Sequence, residues 1–376
     1  MFTHICVNFT GNKVHAELVS GMAKRDGRHV HVFVPCKSRA LFGRNDPRLP
    51  NVTVKYFYVP PFLRYFQLLK VAYVTAFILL FAWRHDIDLR ANRILAHTFW
   101  SDGVLAYLIN KIYRCGYIVT IRNTDINVFF KYGYHLRPIM RAIGAAARGV
   151  TSPSAAYIAR TGKFSWLRLD PGKLHFVPNP ISEWWYESIR DEALAQCTRD
   201  NLQGCFVGEF NQNKNIRSVV SACAALREKG IAIKLVCAGG TAQQFKDVTG
   251  LTSLPTWIEV KGRIQDRREL AELYRQSRFL AVPSFRETFG MVYLEAISQG
   301  CIIICSKGQG VDGIFDDPQI QYSVKPSDIE NIESAIMEAV RSDYRSDPAR
   351  CEQLLHPFSI TSVVGRYQAI ACLEPV

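Results

Sequence analysis

Although the chain of 376 residues holds 11 cysteines, no two of them have the C-x-x-C spacing. They are scattered, mostly in apolar runs (Cys6, Cys223, Cys237, Cys301, Cys305), which favours reduced, packed thiols over a disulfide framework or a zinc site. The sequence also lacks low-complexity segments, acidic or basic tails and internal repeats, which excludes long disordered extensions and solenoid arrays. Its start, Met1-Phe2-Thr3-His4-Ile5-Cys6-Val7, reads directly as a strand and lacks the charged-then-apolar design of a signal peptide, so a cytoplasmic location is expected. Nowhere is there a run of about 20 apolar residues, the length a bilayer span needs.

Acidic residues are in the minority, 33 against 46 Lys and Arg, for a net charge of +13. No nucleic-acid module accompanies that charge, so no nucleic-acid partner is expected, and an anionic membrane surface is the favoured explanation. The most apolar stretch, Val71 to Trp83, follows Arg64 and Lys70 and precedes Arg84 and His85. Two readings stand for it: a buried helix, or a helix at a membrane face with Tyr65, Phe66, Tyr73 and Trp83 as anchors.

What is present is a globular composition, 48% hydrophobic and 21% charged, long enough for two α/β domains. Strands are predicted at Ile5–Asn8, Val30–Val34, Val52–Tyr58, Ile94–His97 and Tyr117–Ile121, with a first crossover helix at Val14–Lys24. Strands alternating with helical patterns mean a parallel sheet covered on both faces. At Val177-Pro178-Asn179-Pro180 two prolines interrupt the pattern and mark a hinge. A second series follows: strands Gly204–Val207, Ile231–Ala238, Trp257–Val260, Phe279–Val282 and Cys301–Cys305, and a helix at Asn215–Lys229 with Ile216, Val219, Val220, Cys223 and Leu226 on one stripe. The expected division is therefore an N-terminal domain over 1–177 and a second over 178–357.

The most informative stretch runs from Pro283 to Gly300. Glu287 and Glu295 lie eight positions apart, and eight helical steps leave roughly 80° beyond two turns, so one helix would not put both carboxylates on one face. Glu287 is placed in a loop and Glu295 in a helix from Gly290 to Gln299, with Gly300 as its stop. Between them Thr288 to Met291 supply the N–H groups of a helix start, which favour an anion. Two carboxylates beside such a cradle suit a sugar nucleotide, because carboxylates accept from hydroxyls while backbone donors hold the diphosphate.

Pro283-Ser284-Phe285-Arg286-Glu287-Thr288-Phe289-Gly290, then Glu295-Ala296 and Gly300, resembles the E-x7-E signature of retaining GT-B glycosyltransferases of family 4. The resemblance implies two Rossmann-like domains facing each other across a cleft, with the segment 358–376 forming a helix, roughly Ser359 to Leu373, that crosses back to the N-terminal domain. It implies transfer of a hexose from a nucleotide-diphosphate sugar, a UDP-sugar favoured over a GDP-sugar, to a saccharide or lipid-linked acceptor in bacterial surface polysaccharide synthesis. Attachment at the inner face of the cytoplasmic membrane is compatible with that role.

In the family's terms Glu287 holds the donor sugar's hydroxyls, Glu295 the ribose, and Thr288, Phe289, Gly290 and Met291 act through backbone groups. Gly208 and Lys214, in Gly208-Glu209-Phe210-Asn211-Gln212-Asn213-Lys214, resemble the strand-end glycine and phosphate-binding lysine; Glu209 stands where the family usually has arginine, and Arg263 is the candidate substitute. Gly239-Gly240 match the glycine pair beside the base. In the first domain Gly11 and Asn12 occupy the phosphate-loop position, His97 corresponds to a histidine at the cleft wall, and Arg122, Asn123 and Asp125 align with a T-x-H-G-x-D stretch. Arg122 either serves an anion or forms a salt bridge with Asp125. No cofactor is expected, and no metal: neither D-x-D nor a ligand cluster stands out where a cation would bridge the diphosphate. Sugar-nucleotide 2-epimerases share the fold but not the motif, and a non-catalytic nucleotide-sugar-binding partner stays open because of Glu209.

Overall fold

Runs of β-branched and aromatic residues, which fit a pleated and buried surface, build two parallel sheets in this chain. The computed structural model describes residues 2–190, 202–315, 317–342, 344 and 347–372. These fall into two units: Met1–Pro153 with Tyr157–Pro180 and Ile360–Val376, and Ser154–Ala156 with Ile181–Ser359.

The first unit contains β1 (Phe2–Ile5), β2 (Val30–Cys36), β3 (Val52–Tyr58), β4 (Arg93–Ala96), β5 (Tyr117–Thr120), β6 (Gly149–Ser152) and β7 (Leu174–Phe176), in the spatial order β3-β2-β1-β4-β5-β6-β7. Every neighbouring pair is parallel. Residues of β1 and β5 are buried along their whole length, as expected for strands with both faces covered. Strand order reverses between β1 and β4, and such a switch point opens a crevice at the carboxyl ends of the strands. Helices α1 (Lys13–Asp26), α2 (Gln67–Arg84) and α3 (Gly103–Tyr113) are among those flanking the sheet. Of α2, only Val74, Thr75, Ile78 and Ala82 are buried.

In the second unit β8 (Gln203–Val207), β9 (Lys234–Ala238), β10 (Ile258–Val260), β11 (Phe279–Ala281), β12 (Ile302–Ser306) and β13 (Gln321–Val324) lie in the order β10-β9-β8-β11-β12-β13. All pairs are again parallel, and the switch point is between β8 and β11. The helix Ile216–Glu228 buries the stripe expected of it, Ile216, Val219, Val220, Cys223 and Leu226.

Several sequence expectations are corrected. The first strand ends at Ile5 instead of running to Asn8, because Asp102 Oδ1 takes the Val7 N–H at 3.0 Å and a 3-10 turn forms at Phe9–Gly11. Strands β6, β7 and β13 had no signal: Gly149-Val150-Thr151-Ser152, Leu174-His175-Phe176 and Gln321-Tyr322-Ser323-Val324 lack the apolar run that marks the equally short β5 and β11. The chain leaves the first unit at Pro180 and not at Val177, since the Val177 N–H still donates to Ser152 of the sheet while Ile181 N–H donates to Phe358 of the second unit. The last helix, Ile360–Cys372, belongs to the first unit, where Val363, Val364, Tyr367 and Ile370 pack with Phe2, Leu18, Met22, Leu95 and Ile118. Its expected end at Leu373 lies outside the described residues, as does Met1. Of the ten described cysteines nine are buried and Cys372 is exposed.

Candidate functional site

The second unit collects the expected donor-side residues at the carboxyl ends of β8, β9 and β11. Asn211 opens a 3-10 turn, Gln212–Lys214, by accepting the Lys214 N–H at 2.9 Å. Asn215 closes it in the left-handed region at φ 61°, and its side-chain amide donates to the carbonyls of Pro283 at 3.1 Å and Pro326 at 2.7 Å. The turn after β8 is thus fastened to the loop after β11. Lys214 Nζ reaches Glu287 Oε2 at 2.5 Å, with both side chains only partly exposed.

Glu287 is fixed at four points or more. Its Oε1 accepts the Thr288 N–H at 3.1 Å, its own N–H donates to Gln309 Oε1 at 3.2 Å, and its carbonyl accepts Gly310 N–H at 3.1 Å. The Lys214 pair is the fourth. Gly290, at φ 85°, turns the chain into the helix Met291–Ser298, one residue later than expected. Phe289 is buried, its ring near that of Phe358. Glu295 sits inside that helix, half-buried, where the Tyr274 hydroxyl donates to its Oε2 at 3.4 Å.

Gly239 ends β9 against β8. A Cβ there would lie 2.0 Å from the Gly208 carbonyl oxygen, so this approach admits glycine alone. Gly208 N–H donates to Ala238 O and Gly239 N–H to Gly262 O, which closes the shelf, and Gly240 continues it. Arg263 follows Gly262, and its guanidinium is 3.8 Å from the Glu209 carboxylate, both exposed. The expected substitute arginine therefore stands beside the residue that replaced the usual one. Sequence reasoning missed Asn211, Asn215 and Gln309; the Asn-rich run Asn211-Gln212-Asn213-Lys214-Asn215 carried the signal, because asparagine favours turns and the left-handed region.

In the first unit the expected residues divide. Gly11 is the exposed end of the 3-10 turn Phe9–Gly11, whose Phe9 and Thr10 are buried, and Asn12 caps α1, accepting the Val14 N–H at 3.0 Å. Asn123 is half-buried and accepts from Asn127. Where the resemblance puts a cleft-wall histidine, the His97 ring is buried: its Nε2 is 3.0 Å from His4 Nδ1, and its Nδ1 is 3.0 Å from His15 Nδ1. Burial and the neighbouring imidazoles hold His97 and His15 well below the ordinary histidine range, and burial lowers His4 to about 3.

Asp125 meets the backbone of Arg122 and not its guanidinium. Asp125 Oδ2 accepts the backbone N–H of Arg122 at 2.9 Å and of Phe99 at 3.1 Å, and its Oδ1 that of Trp100 at 3.0 Å. It is a buried loop clamp, raised to about 6 by desolvation in spite of those donors. The Arg122 guanidinium turns instead to the His97 carbonyl at 3.1 Å and Asn179 Oδ1 at 3.1 Å.

Among the described residues, one group has the side chains a metal would need: Cys6, His15 and His97, ligand atoms within 4.8 Å of one another. Within it His15 Nδ1 pairs with His97 Nδ1, while His97 Nε2 pairs with His4 outside the group. A D-x-D spacing does exist at Asp86-Ile87-Asp88, but Asp88 Oδ1 accepts the N–H groups of Arg90 and Ala91 in a turn beyond α2.

Residues 199–353 match the family described as glycosyl transferases group 1. The O-antigen chain mannosyltransferase B of Escherichia coli is 28% identical over 142 residues, 37% of this chain and 36% of that protein. Matches to the first three curated relatives span 36%, 25% and 53% of those proteins' own lengths. Among solved structures, Anabaena HepE in complex with UDP and glucose aligns with a TM-score of 0.67 at 15% identity, over 99% of each chain. The lipopolysaccharide outer core galactosyltransferase WaaB in its apo form gives 0.72 at 12% identity, over 98% of this chain and 99% of that one. With two parallel-sheet Rossmann-like domains the chain has the GT-B fold, and residues 199–353, the body of its second unit, match the glycosyl transferases group 1 model.

Proposed function

We propose that the chain is a retaining hexosyltransferase that takes a nucleotide-diphosphate sugar, a UDP-sugar in preference to a GDP-sugar, and glycosylates a saccharide or lipid-linked acceptor in bacterial surface polysaccharide synthesis. The observation that carries this reading is the Lys214–Glu287 pair at the β8/β11 switch point, between the Gly239 shelf and the start of the helix Met291–Ser298. The kinds of relative support it: an O-antigen mannosyltransferase, a lipopolysaccharide galactosyltransferase, and a fold neighbour holding UDP and glucose.

In the proposed reaction the bond from the anomeric carbon to the diphosphate oxygen breaks as the acceptor oxygen bonds to the same face. The acceptor proton passes to the departing diphosphate. Glu287 orients the sugar hydroxyls and is no covalent nucleophile, which sets the scheme apart from double displacement at a carboxylate. Lys214 and the N–H groups at the helix start stabilise the leaving charge without a metal, and Arg263 supplies the phosphate contact that Glu209 cannot. Glu295 holds the ribose. A non-catalytic nucleotide-sugar binder is the second reading, favoured by the exposed Glu209 carboxylate beside the phosphate-binding turn.

Incubation with a panel of UDP- and GDP-sugars, following release of free nucleotide, tests both. Release with one donor and retention of anomeric configuration in the product are expected. Thermal stabilisation by a donor with no release, with or without candidate acceptors, would establish the binder instead.

A further inference from the structure

The outward face of α2 does not suit water. By helical geometry Leu69, Ala72, Tyr73, Ala76, Leu80 and Trp83 share an arc of roughly 100°. All six are exposed, opposite the buried Val74, Ile78 and Ala82. Trp83 is 76% exposed, and Phe62, Tyr65 and Phe66 in the preceding turn are 59% to 70% exposed. No charged residue occurs between Val71 and Trp83. A surface helix in a soluble domain presents charged and polar groups outward; one apolar all round is normally enclosed by protein or lipid.

A collar of cations surrounds this face. Arg64 lies over the Tyr65 ring at 4.5 Å, Lys55 over Phe81 at 4.7 Å, and Arg39 over Tyr58 at 5.8 Å, where the Tyr58 carbonyl also accepts the Tyr73 hydroxyl. Arg84 ends the helix. We propose that this face of α2, with the turn before it, is an in-plane anchor that docks the first unit on an anionic lipid surface.

The collar selects the occupant. A second copy would bring one set of cations against another, whereas acidic headgroups complement them and the acyl region receives the apolar stripe. Val74, Ile78 and Ala82 remain in the core with Phe57, Leu63 and Val104, so α2 lies along the interface and does not span it. The anchor deepens the proposed function, resting on it only for purpose: a transferase held at a membrane meets a lipid-linked acceptor.

Sedimentation with vesicles tests the anchor without any catalysis. The full chain is expected to bind phosphatidylglycerol vesicles at low salt, to bind phosphatidylcholine vesicles far less, and to release as salt rises. Leu80→Glu with Trp83→Glu, both on the exposed face, is expected to lower partitioning by more than about tenfold while the melting temperature and nucleotide release from a soluble donor stay unchanged. Wild-type failure to bind either vesicle at low salt, or equal binding by the double variant, overturns the anchor. So does a self-associated species that the double variant abolishes while vesicles go unbound. Vesicle binding without nucleotide release from any donor would leave the anchor standing and sink the transferase reading alone.

Discussion

Lys214 Nζ and Glu287 Oε2 stand 2.5 Å apart, which joins the turn after β8 to the loop after β11 across the switch point of the second sheet. The residue assigned to the diphosphate and the residue assigned to the sugar are one ion pair, so each orients the other.

Glu287→Gln keeps an oxygen that can accept from Lys214, so it should lower turnover by more than about tenfold while nucleotide affinity stays nearly intact, the lost charge being the one proposed to face the sugar; a lost charged hydrogen bond is worth roughly 1.5–3 kcal/mol. Glu295→Gln should weaken binding of the free nucleotide as well. Steady-state kinetics with nucleotide titrations separate the two, and full activity in Glu287→Gln would remove the assignment.

Gly239→Ala forces a Cβ to 2.0 Å from the Gly208 carbonyl oxygen at φ 139°. The shelf must shift, at a cost of about 1–3 kcal/mol from backbone strain. Donor binding should fail in calorimetry even where a thermal melt shows the chain folded, and unchanged affinity would mean that the nucleotide lies elsewhere.

Arg263→Ala is expected to raise the donor KM several-fold with little change in stability, since its exposed pair with Glu209 contributes about 0–1 kcal/mol. Should KM hold steady, the missing phosphate contact is supplied by another group.

Turnover should persist in excess EDTA, because Lys214 and backbone donors carry the leaving-group charge in the proposed scheme. Activity restored only by added Mg²⁺ or Mn²⁺ would replace that account.

Acid should destabilise the first unit. His4, lowered to about 3, with His15 and His97 also lowered, takes up protons more readily when unfolded, so its contribution is present above about 6.5 and lost as pH falls. Asp102, raised to about 7, and Asp125, raised to about 6, act oppositely, favouring folding as pH falls. His4 and His31, the latter lowered to about 4, roughly offset those two carboxyls, which leaves His15 and His97 in excess. The melting temperature is expected to drop by at least about 5 °C from pH 7 to pH 4.5. A flat profile would show that these imidazoles are not held neutral by folding.

The sequence by itself determined the α/β class and picked out the candidate residues of the second half. Gly239, Lys214 and Glu287 could be located because they lie in the loops after apolar strands, and Glu295 in the helix that one such loop enters; a strand-to-helix loop in a parallel sheet falls at the carboxyl edge by construction. The stripe of Ile216, Val219 and Leu226 was readable because helix periodicity is local. Only the tertiary structure decided what lies far apart in sequence: that His97 meets His4 and His15, that Asp125 clamps Phe99 and Trp100, that Arg263 faces Glu209, and that α2 leaves an apolar face uncovered. Burial and pairing of that kind are set by which strands become neighbours, and the 2.0 and 3.6 residue periods of strand and helix carry no record of it.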